Sequence, residues 1–225
     1  MLYEGDHLQV YFDDQFIPPL LANSLLDKLN TMHFKSQKHR SSLMFGDDDL
    51  AYRVTYKQNK DAQEFKTSYS VATPWCEFPD LLLVKQQLEA FTQETYNFCA
   101  VMKYPDGKAI IKRHRDKEMT SQICGVSLGE TRAFQLTFNN QQCTLQLNHG
   151  SLYCLLPPTN TYWCHEILPS TTPHVRYSLT FRHQENPCHV NDFHFCKALL
   201  KTGKRKGQHC GAITLTNYCK RHGKK

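Results

Sequence analysis

Apolar residues in the N-terminal half of the chain recur at helical spacing in two segments. After a Pro pair, leucines repeat along one helical stripe from Leu20 to Leu29, a pattern typical of a helix that buries one face. The stretch "FPDLLLVKQQLEAFTQET", residues 78–95, repeats it through Leu81, Val84 and Leu88. The pattern predicts a helix near 19–32 and a second helix within 78–95, both serving to pack against a core.

From residue 97 onward, short alternating or apolar runs separated by turns replace the helical period. They include "NFCAVMKY", "KAIIKRH", "SQICGVSLG", "RAFQLTF", "CTLQLNHGSLYCLL", "TYWCHEIL" and "VRYSLTFRH". The first run ends at Pro-Asp-Gly, where Pro fixes φ and Gly accepts the left-handed conformation of a turn. Strands spaced by turns every ~8–12 residues are typical of a β-sandwich or barrel. We therefore predict an α+β fold, a jelly-roll core with N-terminal helices covering one face.

Length and cysteine usage narrow the class of protein. The 225 residues accommodate one main domain and a small appendage, since domains cluster near roughly 100–200 residues. No apolar run of ~18 residues and no secretory leader is present, so we expect a soluble, intracellular protein without membrane contacts. Thiols within the strand-like runs are expected to be reduced and buried; these are Cys99, Cys124, Cys143, Cys154 and Cys164.

The net charge of +6 is concentrated at the C-terminus. Residues 187–225 contain nine Lys and Arg against one Asp, a charge of +8, so residues 1–186 carry −2. This asymmetry predicts a main domain over 1–186 and a basic module over 187–225. It favours a polyanionic partner such as nucleic acid, although a merely solvated basic tail has the same composition.

The tripeptide His114-Arg115-Asp116 in "IKRHRDKEM" has two interpretations. It opens the catalytic loop of protein kinases, but that loop needs an Asn where Ser121 stands, and the accompanying Gly-rich and Asp-Phe-Gly signatures are absent. Alternatively, residues two apart on a strand point to one side, so His114 and Asp116 can offer an imidazole and a carboxylate to one metal ion. Arg115 would then point the opposite way.

His165, in "TYWCHEILP", is the candidate third ligand, because it belongs to another strand of the same core. Two histidines and one carboxylate form the facial triad of non-haem Fe(II) oxygenases, which leaves positions open for O₂ and a chelating co-substrate. The bland alternative is a surface turn at 114–116 and an ordinary core histidine at 165.

In "RYSLTFR", residues 176–182, every second residue lies on the same face of a predicted strand. The charged and polar face comprises Arg176, Ser178, Thr180 and Arg182. If that face is buried, its arginines need anionic partners, since an unpaired buried charge is costly. A dicarboxylate such as 2-oxoglutarate would match the guanidinium forks, whereas an outward-facing polar strand would need no ligand.

These segments resemble the AlkB family of Fe(II)/2-oxoglutarate-dependent dioxygenases, particularly its DNA-repair dealkylases. The resemblance spans about residues 12–182 and rests on five ordered motifs: "HRSSLMFGDDDLAY", "NFCAVMKYPDGKAIIKRHRDKE", "GVSLGETRAF", "HGSLYCLLPPTNTYWCHEILP" and "RYSLTFR". It implies a double-stranded β-helix (jelly-roll) core in which His114, Asp116 and His165 bind iron. Tyr104, Arg176 and Thr180 would hold the distal carboxylate of 2-oxoglutarate, and Arg182 would lie near its iron-bound end. The implied reaction uses O₂ to hydroxylate an N-alkyl carbon of a flipped-out base, which then releases an aldehyde.

The resemblance also implies contacts to the damaged base. Tyr52, with Arg53 beside it, matches an aromatic residue that lines the base pocket, and Arg40 matches a basic residue at its rim; a core tyrosine and a surface arginine are the alternatives. Met32 and Phe34 would form an apolar wedge that fills the gap left by a flipped base, or would simply end the packing face of the first helix.

The chain departs from the family pattern at three positions. Met102 and Ser178 stand where relatives carry Asn, so their contacts to the co-substrate are lost or shortened. Lys117 replaces an acid that reads the exocyclic amine of an alkylated adenine, and a lysine cannot accept that hydrogen bond. Glu118 could serve instead, or Lys117 could contact a phosphate, which leaves the base preference open.

The C-terminal segment places four potential Zn²⁺ ligands at the spacing Cys-x13-Cys-x8-Cys-x2-His: Cys196, Cys210, Cys219 and His222. A Cys₃His set closes a tetrahedral structural site, and so short a module lacks the core to fold without a metal. His209 and His194 are alternative ligands, and a disordered basic tail with incidental thiols is the alternative to zinc. The surrounding Lys and Arg residues would contact phosphates or act as a nuclear-localisation signal.

The sequence thus predicts a monomeric, iron- and 2-oxoglutarate-dependent dealkylase that repairs lesions such as 1-methyladenine and 3-methylcytosine in DNA, in the nucleus or another DNA-containing compartment. Two alternatives stay open. The same mechanism could act on RNA, or a catalytically silent core could bind nucleic acid through the zinc module alone.

Overall fold

The computed structural model describes residues 1–36, 41–48, 50–57, 65–116, 121–184, 188–189, 194–195 and 213–214. The chain forms two compact units. One comprises Met1–Asp47 with Thr73–Glu185, and the other comprises Asp48–Ala72 with Asn186–Lys225. The second unit therefore includes an internal segment as well as C-terminal residues. The predicted domain limits, 1–186 and 187–225, and the zinc module stay predictions.

The first unit holds most of the secondary structure. Its helices are α1 (Pro19–Thr31), α2 (Pro79–Thr92) and the short α3 (Thr159–Tyr162), with a 3₁₀ turn at Trp75–Glu77. The strands of the described residues, in both units, are β1 (Leu2–Gly5), β2 (Leu8–Asp13), β3 (Lys35–Ser36), β4 (Ser41–Gly46), β5 (Leu50–Lys57), β6 (Phe65–Val71), β7 (Thr73–Pro74), β8 (Phe98–Tyr104), β9 (Ile111–His114), β10 (Ile123–Gly129), β11 (Arg132–Phe138), β12 (Gln141–Leu147), β13 (Leu152–Leu155), β14 (Cys164–Ile167), β15 (Arg176–Arg182), β16 (Cys188–His189), β17 (His194–Phe195) and β18 (Ile213–Thr214).

Two sheets form the core of the first unit. The larger one has nine strands in the order β1-β2-β13-β10-β15-β8-β4-β3, with β7 added to β4, and the smaller has the order β12-β11-β14-β9. All pairings are antiparallel except that of β4 with β7. Apolar side chains from both sheets, such as Tyr153 and Leu155 facing Phe134 and Ile167, form one buried cluster. Two packed antiparallel layers are the arrangement predicted for a jelly roll.

The two N-terminal helices cover the outer face of the larger sheet, as predicted. Each begins with Pro in its first turn, where the missing N–H costs nothing. The buried residues of α1 are Ala22, Leu25 and Leu29, and those of α2 are Leu81, Val84 and Leu88. They pack with Tyr177, Leu179 and Phe181 in one cluster, and each fully buried leucine stabilises the fold by about 1.5–3 kcal/mol.

Strand β15 separates two environments. Its apolar residues Tyr177, Leu179 and Phe181 face the helices. On its other side Arg176 is 1% exposed, Ser178 6% and Thr180 8%. This confirms the alternation inferred from "RYSLTFR" and excludes the outward-facing alternative, because the polar face is itself buried.

In the second unit, β5 and β6 form an antiparallel pair, extended by β16 on the other side of β5, and β17 pairs with β18. In the part of the chain that the structure describes, no helix combines the length and apolar character required to cross a membrane.

Candidate active site

Three side chains that could bind one metal ion lie close together on and just after neighbouring strands of the smaller sheet. His114, Asp116 and His165 place one potential ligand atom each within 4.8 Å of one another. The strand pairing explains this, because His114 of β9 and His165 of β14 are direct cross-strand partners and their rings lie 4.4 Å apart. Asp116 follows just after β9, with its Oδ1 3.6 Å from Nε2 of His114.

Hydrogen bonds orient the ligand atoms of this cluster. Nδ1 of His114 lies 2.8 Å from the carbonyl oxygen of Lys112, so the ring donates through Nδ1–H and keeps the lone pair on Nε2 for a metal. The backbone of Asp116 is held by Asn160, whose Oδ1 accepts from Asp116 N–H at 3.0 Å and whose Nδ2 donates to Asp116 O at 2.8 Å. Arg115 is directed elsewhere and donates to the carbonyl oxygen of Thr161.

Electrostatics keep both buried ligands in the protonation state that a metal requires. Burial alone would raise the pKa of Asp116, but the neighbouring His114 imidazole and the charge of Arg182 outweigh it and lower that pKa to about 2. Burial lowers the pKa of His165 to about 4. At neutral pH the cluster therefore offers a carboxylate and a neutral imidazole, which are metal ligands.

The two arginines of β15 occupy different positions. Arg182 donates through Nη2 to Oδ2 of Asp116 at 2.7 Å, which places it beside the metal cluster. Arg176 is fully buried, donates through Nε to Ser127 Oγ at 2.9 Å, and lies 5.1 Å from the ring centre of Tyr104. Burial lowers the pKa of Arg176, so a cation at this point needs an anion nearby.

A cavity of about 780 Å³ is lined in part by His114, Asp116 and His165. This volume is within the range of small-molecule sites in proteins. Residues from both sheets line it: Met44, Ala100, Met102, Tyr104, Lys108, Ile110, Ile111, Lys112, Arg113, His114, Asp116, Phe134, Tyr153, His165, Ile167, Ser178, Thr180 and Arg182. Gly125 leaves the space that the Tyr153 ring occupies in the cavity wall, because a Cβ at this position would come within 2.3 Å of the ring.

Unsatisfied buried atoms test whether the site fits iron and 2-oxoglutarate. Nδ1 of His165, Nη1 of Arg176 and Nε of Arg182 are buried without a hydrogen-bond partner among the described residues. Such atoms are rare in folded proteins unless a ligand or ion completes them. An imidazole nitrogen suits Fe(II), and guanidinium N–H groups suit carboxylates, so the residues present fit both groups.

The other predicted co-substrate contacts lie on the neighbouring strands β8 and β15. Met102 of β8 and Ser178 of β15 are cross-strand partners, as are Tyr104 and Arg176. Tyr104, Met102, Ser178 and Thr180 all line the cavity. Two of the three departures from the family pattern, Met102 and Ser178, are therefore adjacent, and a thioether and a short hydroxyl occupy one patch of the cavity wall.

The predicted substrate contacts are placed less completely. Phe34 is buried and packs on Tyr177 at 5.5 Å between ring centres, with Met32 against the same core; this placement corresponds to helix packing and gives no support to a wedge. Tyr52 is partly buried in β5, which also contains Arg53, within the second unit. The predicted substrate and zinc residues that lie outside the described part of the chain are Arg40, Lys117, Glu118, Cys196, His209, Cys210, Cys219 and His222.

Sequence reasoning missed two residues that support the site. Asn160 is 9% exposed and Ser127 is fully buried, and they hold Asp116 and Arg176 respectively. The only local signal was their type, because a polar side chain that is buried must find partners. The partners themselves lie 44 and 49 residues away along the chain.

A jelly-roll core with a His-Asp-His cluster beside buried arginines defines the class of non-haem iron oxygenases. In agreement, the family described as "2OG-Fe(II) oxygenase superfamily" matches residues 9–182. The chain is 34% identical over 124 residues to "DNA oxidative demethylase ALKBH2" of Bos taurus, covering 48% of this chain and 44% of that protein. The Mus musculus protein of the same name is 36% identical over 124 residues, covering 48% and 51%.

The solved chain titled "The structure of OsALKBH1" superimposes with a TM-score of 0.53 at 13% identity, covering 82% of this chain and all of that one; this likeness concerns the fold alone. The chain spans about half the length of the curated relatives it matches. The chain therefore belongs to the 2OG-Fe(II) oxygenase superfamily.

Proposed function

We propose that the protein removes alkyl groups oxidatively from damaged bases in DNA, with 1-methyladenine and 3-methylcytosine as the expected lesions. The observation that carries this proposal is the cluster of His114, Asp116 and His165 at a cavity of about 780 Å³. The cavity has room for a co-substrate and one flat base, whereas a structural metal site would be closed by a fourth protein ligand.

His114, Asp116 and His165 would hold Fe(II), and the arginines of β15 would hold 2-oxoglutarate. When bound, these groups and O₂ supply the oxidant that hydroxylates an N-alkyl carbon. The protein's own contribution is positioning. Asn160 fixes Asp116, Ser127 fixes Arg176, and Phe134 and Ile167 contribute apolar surface to the cavity wall.

A base inside a duplex cannot reach a cluster at this depth, since His165 is 6% exposed. The target nucleotide must therefore leave the base stack, which costs least where alkylation has already weakened pairing. The relatives named as DNA oxidative demethylases support DNA as the substrate. Such a substrate places the protein in a DNA-containing compartment, the nucleus where one exists.

The proposal is tested by mass spectrometry of oligonucleotide products. Wild-type protein is incubated with Fe(II), ascorbate and 2-oxoglutarate, and with single strands carrying 1-methyladenine or 3-methylcytosine in DNA and in RNA. We expect loss of one methyl group from DNA, and no loss with His114→Ala. If no substrate loses a methyl group, or if the variant equals the wild type, the proposal fails.

RNA demethylation is the second candidate, and the same experiment decides it. The basic composition of residues 187–225 does not distinguish ribose from deoxyribose, because phosphate contacts are independent of sequence and sugar. Faster methyl loss from RNA than from DNA at equal concentration would favour RNA as the substrate.

A further inference from the structure

The cavity mouth carries three cations that the site described above does not use. Lys108, Lys112 and Arg113 line the cavity and are exposed to solvent; we call these three residues the basic lip. Lys112 and Arg113 belong to β9, and among the described residues no further strand pairs with the outer edge of β9 in the smaller sheet. Lys108 lies in the turn before β9, where Oδ1 of Asp106 accepts from its backbone N–H at 2.8 Å.

In the described part of the chain, no carboxylate lies within ion-pairing distance of the basic lip. Among the described residues that line the cavity, Asp116 is the one carboxylate, and Arg182 already pairs with it. The side chains of Lys108, Lys112 and Arg113 make no ion pair or hydrogen bond with other described residues. Three unpaired cations therefore border the opening through which a substrate must pass.

Such an opening is poorly suited to a free alkylated base. Methylation at a pairing nitrogen makes the base cationic, and like charges repel in a site that is partly shielded from water. The repulsion disappears if the substrate brings its own anions. Phosphodiester groups on either side of a flipped nucleotide supply them, and an Arg fork suits phosphate oxygens bidentately.

We propose that Lys108, Lys112 and Arg113 bind the phosphodiester groups flanking the flipped nucleotide, so that the protein selects a polynucleotide over a free nucleoside. The inference rests on the proposed function, because it assigns the backbone of the same substrate to a surface of the same site. It differs from non-specific binding by residues 187–225, since the basic lip contacts only phosphates next to the lesion.

The test measures binding of a single-stranded DNA pentanucleotide with central 3-methylcytosine to the full chain loaded with Mn(II) and 2-oxoglutarate. Fluorescence anisotropy is recorded between 50 and 200 mM salt for wild type, for Lys108→Ala/Lys112→Ala/Arg113→Ala, and for the charge-retaining control Lys108→Arg/Lys112→Arg/Arg113→Lys. A second pentanucleotide carries neutral methylphosphonate linkages. Thermal unfolding confirms that each variant is folded.

Loss of three phosphate contacts should reduce the slope of log affinity against log salt by about 2, so that the affinity of the wild type falls about 20-fold more than that of the alanine variant over this range. The control should keep the wild-type slope. With methylphosphonate linkages, wild type and alanine variant should bind alike. Residues 187–225 are unchanged in every protein, so their contribution cancels in these differences.

Equal salt slopes for wild type and the alanine variant would overturn the proposal that the basic lip binds phosphates. A difference that persists with the neutral backbone would also overturn it, because the effect would then not involve phosphates. The outcome is separable from the proposed function. If wild type removes methyl groups from DNA but the alanine variant has the wild-type salt slope, only the phosphate-binding proposal fails. If the alanine variant has a reduced salt slope but no methyl group is removed, only the proposed demethylase activity fails.

Discussion

Asn160 illustrates how a residue outside the metal cluster controls it. Its side-chain amide satisfies both the N–H and the carbonyl oxygen of Asp116, so the carboxylate is held through its own backbone. Groups that orient a metal ligand are typically worth 10–100-fold in metal affinity.

We predict that Asn160→Ala weakens Mn(II) binding in the presence of 2-oxoglutarate by about 10–100-fold, measured by electron paramagnetic resonance. The matched control is Asn148→Ala, since the side chain of Asn148 accepts a hydrogen bond from Thr131 away from the cluster. Equal Mn(II) affinity in Asn160→Ala and wild type would show that the amide does not position Asp116.

Sequence and structure agree best for the ligands themselves. His114 and Asp116 were predictable from their spacing of two residues, although β9 ends at His114 and Asp116 follows it, and His165 because it lies in a second strand of the same core. Asn160 and Ser127 were not predictable, because their partners are fixed by tertiary contacts and not by local spacing. The wedge role of Phe34 stays a prediction, since the structure shows only that Phe34 is buried against Tyr177.

At the level of elements, the two N-terminal helices were predictable from periodicity. Strand β2 was missed although Leu8 and Val10 alternate with polar residues and are both buried. Its partner β13 follows about 140 residues later, with Tyr11 opposite Cys154, and no local pattern specifies a pairing at that distance. The helical stripe was also narrower than predicted, because Leu20 is 88% exposed.

Leu25 and Leu20 provide a matched pair on α1. Leu25 is fully buried and Leu20 is exposed, yet both are leucines in one helix. We predict that Leu25→Ala lowers the free energy of unfolding by about 2–5 kcal/mol and that Leu20→Ala changes it by less than about 0.5 kcal/mol, measured by urea denaturation. Similar losses in both variants would contradict the placement of α1 on the sheet.

The contact between α1 and α2 should depend on pH. Oδ1 of Asp80 accepts from Lys28 Nζ at 2.8 Å and its Oδ2 from Ser24 Oγ at 2.7 Å, and these hydrogen bonds, that from Lys28 foremost, lower the pKa of Asp80 below the ordinary value of 3.8. A lowered pKa in the folded state means that the stabilisation is complete above the unfolded-state value and is lost as pH falls through the folded one.

We therefore predict that Asp80→Asn costs about 1 kcal/mol of unfolding free energy at pH 6 and that this difference from wild type shrinks below pH 3.8. Asn does not titrate, so the change with pH reports the wild-type carboxyl. Urea denaturation of both proteins across the acid range provides the measurement. A difference of constant size at every pH would indicate that the charge of Asp80 is not involved.

For the whole molecule, the C-terminal segment is predicted to bind a second metal, Zn²⁺, in addition to iron. If Cys196, Cys210, Cys219 and His222 bind Zn²⁺, the full chain should carry about one zinc ion, and Cys210→Ser/Cys219→Ser should lose it. Elemental analysis after dialysis measures the content. Cys76→Ser is the control, since Cys76 is an exposed free thiol of the first unit. Unchanged zinc in the double variant would leave the tail as a basic segment with incidental thiols.

One site is proposed to couple 2-oxoglutarate consumption to removal of a methyl group from a base. The most direct measurement follows succinate and demethylated base together, with wild type and Asp116→Ala, on single-stranded DNA containing 3-methylcytosine. We predict one succinate per methyl group removed by wild type and neither product with Asp116→Ala, because the variant loses a proposed metal ligand that is also the partner of Arg182. Succinate formation without any methyl loss, or methyl loss that does not require 2-oxoglutarate, would contradict the account.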